Sequence, residues 1–259
     1  MCGIGGFISL EPIKLILFKE LVNAQIWRGT QGTGIAYIND NNNFMILKEP
    51  MHPRQFFERH RETLESTRTT FAIVHHRAPS RGRVAIENTH PFKTCRHNSA
   101  LIHNGHIFGV DQYKELLLRA GHRIKGDTDS EILCELLCEN LDHYNLEIAF
   151  KESISTFYRI GAVAVLSLDG NPSPCILLYS DYQPIYFALV RKPLFVFAST
   201  PEGIITFLSA LEVDPYDESR VKFYRVDGFA KAWLEDDRIY VKGQFSRTHI
   251  DESELIYTW

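Results

Sequence analysis

No stretch of the chain is apolar for the roughly 18 residues a membrane-spanning helix needs, so no membrane partner is expected. The opening, Met1-Cys2-Gly3-Ile4-Gly5-Gly6, lacks both the basic start and the small-residue cleavage pattern of a secretory leader. Positive charge is not in surplus either. The 28 Lys plus Arg face 32 Asp plus Glu, a formal charge of -4. No global field therefore draws a phosphate backbone, and a nucleic-acid partner is not indicated. Local basic spots such as Arg77 to Arg83 could bind a small anion. Cysteine is sparse: Cys2, Cys95, Cys134, Cys138 and Cys175 form no dense framework, and an odd number leaves at least one thiol unpaired. These absences together lead to the expectation of a cytoplasmic protein. Internal repeats and low-complexity linkers are also lacking, so one continuous domain over residues 1–259 is expected.

What is present suffices for a large core. Of the 259 residues 44% are hydrophobic, among them 17 Phe and 11 Tyr, enough apolar surface to offset the entropy of ordering the chain. Pro12 is placed to open a helix through about Trp27, stopped by Arg28-Gly29. Residues 35–38 and 44–47 read as two strands joined by the polar turn Asp40-Asn41-Asn42-Asn43. A helix from Pro53 to about Leu64 and a strand from Thr70 to His75 follow. Residues 77–98 are polar, punctuated by proline and glycine, and lie between strands where binding loops are expected. Further helices are expected over Val110–Ala120, Asp129–Leu141 and Leu146–Phe157. The second of these carries the capping-box pattern Thr128-Asp129-Ser130-Glu131. Strands near 162–168, 175–179, 185–189 and 194–198 come next, then a hairpin of 229–234 and 238–242 about Glu235-Asp236-Asp237. Strands, a helical group and strands again predict an α+β fold, with two antiparallel sheets covered on their outer faces by helices.

Chemistry enters at the second residue. A methionine before a small residue can be removed, and its loss would give Cys2 both a thiol and a free α-amine. Their ordinary pKa values, about 8.5 and about 7.7 to 8.0, let the amine take the thiol proton near neutral pH. The alternative is a small apolar cysteine entering a strand. His103-Asn104-Gly105 follows the apolar strand Ala100-Leu101-Ile102. An asparagine amide and the next backbone N–H can together face an oxygen that becomes negative when sulfur attacks an amide carbonyl. Asn-Gly is equally a common turn. The guanidinium of Arg77 can hold a carboxylate, or merely contribute surface charge. Asp129, in the first turn of its helix, suits an ammonium group, or complements the helix dipole. None of these is specific alone.

Taken in order, the motifs resemble the glutaminase domain of the class II glutamine amidotransferases, a branch of the N-terminal-nucleophile hydrolases. They are Cys2-Gly3-Ile4-Gly5-Gly6, Arg28-Gly29-Thr30-Gln31-Gly32-Thr33-Gly34, His76-Arg77-Ala78-Pro79-Ser80-Arg81-Gly82, Glu87-Asn88-Thr89-His90-Pro91-Phe92, His103-Asn104-Gly105 and Gly126-Asp127-Thr128-Asp129-Ser130-Glu131. The resemblance implies a four-layer αββα sandwich with two antiparallel sheets. It implies Cys2 as nucleophile with its freed amine as proton acceptor, and Asn104 with the Gly105 amide as the oxyanion hole. Arg77 would bind a substrate α-carboxylate and Asp129 an α-ammonium. Arg28, Gly29, Ser80, Asn88 and His90 would shape the pocket. Ala78 stands where better-known synthases of this class often carry an aromatic residue. The segment Arg81 to Phe92 is closer to the small stand-alone branch, which includes uncharacterised amidotransferase-like proteins and the γ-glutamyl amide hydrolase of ergothioneine synthesis.

The expected reaction is hydrolysis of the glutamine side-chain amide to glutamate and ammonia through a Cys2 thioester. The sequence ends at Trp259 with no room expected for a typical synthase domain, which leaves two routes: ammonia passed to a separate synthase subunit, or a self-contained amidohydrolase. Two alternatives stay open: a self-contained hydrolase of another γ-glutamyl amide, and a non-catalytic amino-acid-binding domain. A homo-oligomer is also left open. No cofactor is implied. A metal centre is not expected, because His75, His76, His90, His97, His103 and His106 show no standard zinc spacing and Cys134 with Cys138 lacks a matching Cys/His pair.

Overall fold

The computed structural model describes residues 1–78, 81–191 and 193–248. The first strand, β1 (Gly3–Lys14), leads through a short 3-10 turn into α1 (Phe18–Ala24). There follow β2 (Thr33–Ile38), β3 (Phe44–Glu49), α2 (Pro53–Arg59), α3 (Arg61–Ser66) and β4 (Arg68–His76). The middle of the chain holds β5 (Phe92–Lys93), β6 (Ser99–Gly105), α4 (Val110–Arg119), α5 (Asp129–Leu141) and α6 (Leu146–Ser155). It closes with β7 (Gly161–Ser167), β8 (Cys175–Ser180), β9 (Tyr186–Val190), β10 (Leu194–Ala198), α7 (Pro201–Ala210), β11 (Val221–Glu235) and β12 (Arg238–Thr248). None of the described helices is long and apolar enough to cross a membrane.

The fold is α+β. Its strands are hydrogen-bonded in the order β3-β2-β4-β1-β10-β9-β11-β8-β7-β6-β5, with β12 on β11, and every pairing is antiparallel. The two ladders foreseen from the sequence are thus continuous, because β11 is long enough to pair β9 with its first half and β8 with its second. A register shift between Val226 and Ala230 on β11, with Gly228 at φ +139°, bends the strand between those halves.

Side-chain alternation explains how this ladder is covered. Phe7, Ala72, Val74 and Val196 face one way and pack with Phe18 and Leu21 of α1, Phe56 of α2, Leu64 of α3 and Phe207 of α7. Their neighbours Ile4, Ile8, Phe71, Ile73 and Phe197 face the other way and meet Ala100, Ile102, Ala164, Leu166 and Leu178. The opposite face of that second half, Leu101, Val163, Val165 and Leu177, is covered by Leu117 of α4, Leu133 and Leu137 of α5, and Phe150 of α6.

Several expectations are corrected. Pro12 does not open a helix: β1 runs on through it, with a register shift between Ile8 and Ile13 before pairing resumes with Thr69. Proline lacks an N–H, and such an irregularity in the ladder tolerates that loss. The helix begins only at Phe18. The expected 53–64 helix is two, parted at His60, and α7 was not foreseen, although Thr200 caps it by accepting from the Gly203 amide and Pro201 opens it. Helix α5 has the foreseen bounds, with Thr128 Oγ1 accepting from the Glu131 amide. The reciprocal half of that box is redirected, since Glu131 accepts instead from the amides of Lys125 and Gly126.

The ring of Phe7 packs against Phe18 and Phe207, centroids 5.2 and 5.7 Å away, and so joins β1 to both α1 and α7. Phe7→Ala should lower unfolding free energy by about 3–5 kcal/mol. Urea denaturation should show a shifted midpoint at unchanged slope, and an unchanged midpoint would contradict this packing.

Candidate active site

Two inner faces of strand meet at one end of the middle cluster. Cys2 lies two residues before Ile4, and Asn104 two residues after Ile102, so period-two alternation continues both toward the same layer. The Cys2 backbone N–H donates to Asn104 Oδ1 at 3.0 Å. The Cys2 sulfur accepts from the Ala78 amide at 3.4 Å, and Arg28 Nε donates to the Cys2 carbonyl at 2.9 Å. The first strand is pinned just behind the sulfur: Ile4 N–H donates to Ser199 Oγ, and Gln25 Nε2 donates to the Ile4 carbonyl.

Glycine is required beside this sulfur for lack of room. A Cβ on Gly3 would fall 1.8 Å from His76 Nε2, and one on Gly29 would fall 2.4 Å from the Arg77 carbonyl carbon. The Arg28–Gly34 segment is thereby laid on the end of β4, with Gln31 N–H donating to the Arg77 carbonyl and Arg77 N–H to the Gly32 carbonyl. Arg28 thus holds the Cys2 carbonyl, while Gly29 lies against the backbone of Arg77 and Ala78.

Arg77 is buried, and its guanidinium donates to the carbonyls of Arg83 at 3.0 Å, Arg81 at 2.6 Å and Gly82 at 3.3 Å. The loop after β4 is therefore curled around the cation. Asn88, fully buried, ties the same loop to the approach to α5. Its Nδ2 donates to the Arg83 carbonyl and to Asp127, and its Oδ1 accepts from the Asp127 amide. Asp129 Oδ2 accepts from the Ile107 amide at 2.8 Å and faces His106 Nδ1 at 3.6 Å, while Oδ1 accepts from the Ser130 amide. A carboxylate offers about four acceptor sites, so these contacts orient Asp129 and leave capacity for a ligand cation.

His90 lies behind the site rather than at an opening. It is buried and stacked on His75 with ring centroids 3.9 Å apart, and Phe92 packs against its edge. Ser80 falls outside the described residues. Gly105 continues β6 beside Gly161, where a Cβ would meet the Ile160 carbonyl at 2.0 Å.

Sequence reasoning missed the supporting polar groups. Asn104 Nδ2 donates to Gln183 Oε1 at 3.4 Å, and the Tyr182 hydroxyl accepts from the His106 amide at 2.8 Å. Asp181 accepts from the amides of Ile160 and Gly161. The signal for these three was a polar run, Asp181-Tyr182-Gln183, straight after the apolar strand β8.

Burial pushes the Cys2 thiol up, opposed by the Ala78 amide, the positive chain terminus and Arg77. A raised thiol is protonated at neutral pH and needs a base before it can attack. Desolvation also lowers Arg77 somewhat, with Cys2, Asp127 and Asp129 acting against it. His75 Nε2 faces the His103 carbonyl at 3.1 Å and His76 Nδ1 the Gly29 carbonyl at 2.9 Å, so each carries its proton there. His103 Nε2 likewise faces the Ile160 carbonyl, which leaves Nδ1 to accept from Ser130 Oγ.

Comparison with known proteins decides the family. The model of the glutamine amidotransferases class-II matches residues 16–168, more than half of the chain. The chain belongs to the class II glutamine amidotransferases. Among curated relatives, the glutamine–fructose-6-phosphate aminotransferase (isomerizing) of Methanococcus maripaludis is 28% identical over 202 residues, covering 76% of this chain and 33% of that protein. The amidophosphoribosyltransferase of Pasteurella multocida is 31% identical over 147 residues, covering 56% and 28%. The chain thus spans about a third of the length of the curated relatives it matches. The solved glutamine phosphoribosylpyrophosphate amidotransferase of B. subtilis superposes with a TM-score of 0.70 at 20% identity, covering 93% of this chain and 49% of that one. A glutamine aminotransferase class-II domain protein from Silicibacter pomeroyi gives 0.58 at 16%, covering 93% and 98%. These two speak for the fold. Membership of that family makes the chain an amidohydrolase-type enzyme. The matched region begins after Cys2, so the place of that residue rests on the geometry above.

Three buried histidines near the site give a pH signature. Desolvation holds His76 at about 4 and His75 and His90 well below the usual imidazole range. Below about pH 6.5 the unfolded chain binds protons that the folded chain refuses, so stability is lost as pH falls from there toward the folded values. Each group steepens the decline by up to about 1.4 kcal/mol per pH unit. Urea midpoints measured from pH 7.5 to 5 should fall, and His76→Gln should flatten the profile. A profile as steep as that of the unsubstituted protein would contradict the assignment for His76.

Proposed function

We propose that the chain hydrolyses the side-chain amide of glutamine to glutamate and ammonia, with Cys2 as nucleophile once Met1 has been removed. The observation that carries this reading is the triple hold on Cys2: its nitrogen on Asn104, its sulfur on Ala78 and its carbonyl on Arg28. With Met1 attached, the nitrogen is a peptide N–H; Met1 itself is 63% exposed, within reach of an aminopeptidase. Removal would leave an amine at the same spot beside a protonated thiol.

The amine takes the thiol proton as sulfur adds to the amide carbonyl. Asn104 Nδ2 and the Gly105 amide receive the oxyanion. Collapse breaks the carbon–nitrogen bond, and the ammonium of Cys2 returns its proton to the departing nitrogen. Water, deprotonated by the same amine, then opens the γ-glutamyl thioester. Asp129, anchored through both oxygens, takes the substrate ammonium, and Arg77 takes its carboxylate with the N–H groups not spent on the 81–83 loop. Arg28, Gly29 and Asn88 act by holding the walls in place and His90 backs them.

We read the bent sheet as the two inner layers of an αββα sandwich within one domain over residues 1–259. Three alternating apolar clusters support that reading. The names of the relatives support glutamine as the substrate, with a sugar-phosphate synthase as the kind of ammonia acceptor.

Cys2→Ala should abolish glutamate release at unchanged thermal stability. Asn104→Ala should lower kcat by about 10²- to 10³-fold, as for one lost oxyanion donor. Arg77→Ala and Asp129→Ala should each lower kcat/KM for glutamine by about tenfold or more. Coupled assay of glutamate and ammonia measures all four. Full turnover by Cys2→Ala would exclude the nucleophile, and unaltered kcat/KM in both charge variants would overturn the substrate orientation.

A further inference from the structure

A second cluster of reactive side chains lies apart from Cys2. Cys95 follows β5, His122 follows α4, and Glu135 with Cys138 are three residues apart on one face of α5. One potential ligand atom from each, two sulfurs, an imidazole nitrogen and a carboxylate oxygen, lies within 4.8 Å of all the others. In the structure the two sulfurs are joined as a disulfide with Cα atoms 6.2 Å apart. A disulfide needs only its cysteines. It does not account for a buried imidazole and a buried carboxylate converging on them, His122 Nδ1 lying 2.7 Å from Glu135 Oε2 and 3.8 Å from Cys95 Sγ.

We propose that in the reduced protein Cys95, Cys138, His122 and Glu135 bind one zinc-class divalent cation. Two thiolates, one imidazole and one carboxylate are a donor set suited to tetrahedral Zn²⁺. The surroundings have the second layer such a site requires. His122 Nε2 faces Glu139 Oε2 at 2.7 Å, so a carboxylate fixes the ring and leaves Nδ1 for the metal. Arg96 in turn pairs with Glu139 and Asp142, offsetting the negative charge of a trianionic ligand set around a dication. Cys95 is exposed, and a groove lined by Cys95, Glu135, Glu131 and Lys125 gives the ion a route in from solvent.

The disulfide and the metal form are alternatives for one cysteine pair. A phosphine reductant passes two electrons to the disulfide while taking up oxygen from water, whose two protons complete the thiols. Metal binding then displaces those protons. Sulfur–metal bonds of about 2.3 Å in a tetrahedron set the sulfurs about 3.8 Å apart, a separation that side-chain rotation can supply. Four protein ligands close the coordination shell, so the ion is structural. It would staple the segment before β6, which bears Asn104, to α5, which bears Asp129.

The test uses phosphine-reduced, chelator-treated full chain in the Cys2→Ala background, so that no thiol–amine chelate forms at residue 2. Titration with Co²⁺ should give one equivalent bound, with thiolate-to-cobalt charge-transfer absorption and the visible bands of tetrahedral cobalt, both displaced by Zn²⁺. Zn²⁺ in about 100-fold excess over its Kd should raise Tm by about 5 °C or more. Cys95→Ser, at an exposed position, and Glu135→Gln should each weaken cobalt binding at least tenfold, with circular dichroism confirming the fold. Absence of the charge-transfer band in fully reduced protein, or wild-type affinity in Cys95→Ser, would overturn the site.

Discussion

The candidate site depends on how the first strand is inserted between two others. Gly3 to Ile8 pair with β4 on one side, and Gly5 to Ser9 with β10 on the other. Hydrogen-bonded on both edges and packed on both faces, β1 has no freedom to slip: a one-residue shift would turn Ile4 and Ile8 out of the middle cluster and drive Phe7 into it. Residue 2 is therefore held at one height and on one face. The partner strand β4 ends in His76, under Gly3, and runs directly into Arg77 and Ala78, so the same pairing that fixes the sulfur also brings up its amide neighbour.

From that anchor the site is assembled out of several distant segments, each fixed by backbone-directed hydrogen bonds. Arg77 gathers the 81–83 loop, Asn88 links that loop to Asp127, and Glu131 holds the Lys125 and Gly126 amides ahead of α5. The outcome is a set of charged side chains whose positions are set by carbonyls and amides rather than by one another. Such preorganisation suits a reaction in which charge develops on an oxyanion in a largely desolvated place. It also agrees with a thiol kept protonated until a nearby base acts.

Much of this was legible in the sequence where local rules and tertiary context agree. Helix α5 follows from the Thr128 cap and an apolar face, and the β11–β12 turn from Asp236 and Asp237, both at positive φ. Arg77 follows the foreseen strand at 70–75, Asn104 the foreseen strand at 100–102, and Asp129 opens the foreseen helix, whereas β1, which leads from Cys2, was not foreseen. Pro12 misled, because a start signal for a helix is also tolerated at a bulge. The first half of β11 was hidden by Asp227-Gly228, which reads as a break and instead bends a continuing strand. The polar run Asp181-Tyr182-Gln183 marks a loop but not its partners, and Ser199 carries no pattern of its own, since these contacts join residues 76 to 195 positions apart. The Cys95–His122–Glu135–Cys138 cluster escaped for the same reason: three separate segments contribute, and only folding gives the spacing.

The most direct test of the account is mass spectrometry of protein mixed with glutamine and quenched in acid within the first turnovers, followed by digestion and analysis of the N-terminal peptide. It should begin at Cys2, with no Met1, and carry one γ-glutamyl group on sulfur that disappears at longer times. Retained Met1 throughout a sample that turns over, or a γ-glutamyl group on any other residue, would contradict the central claim.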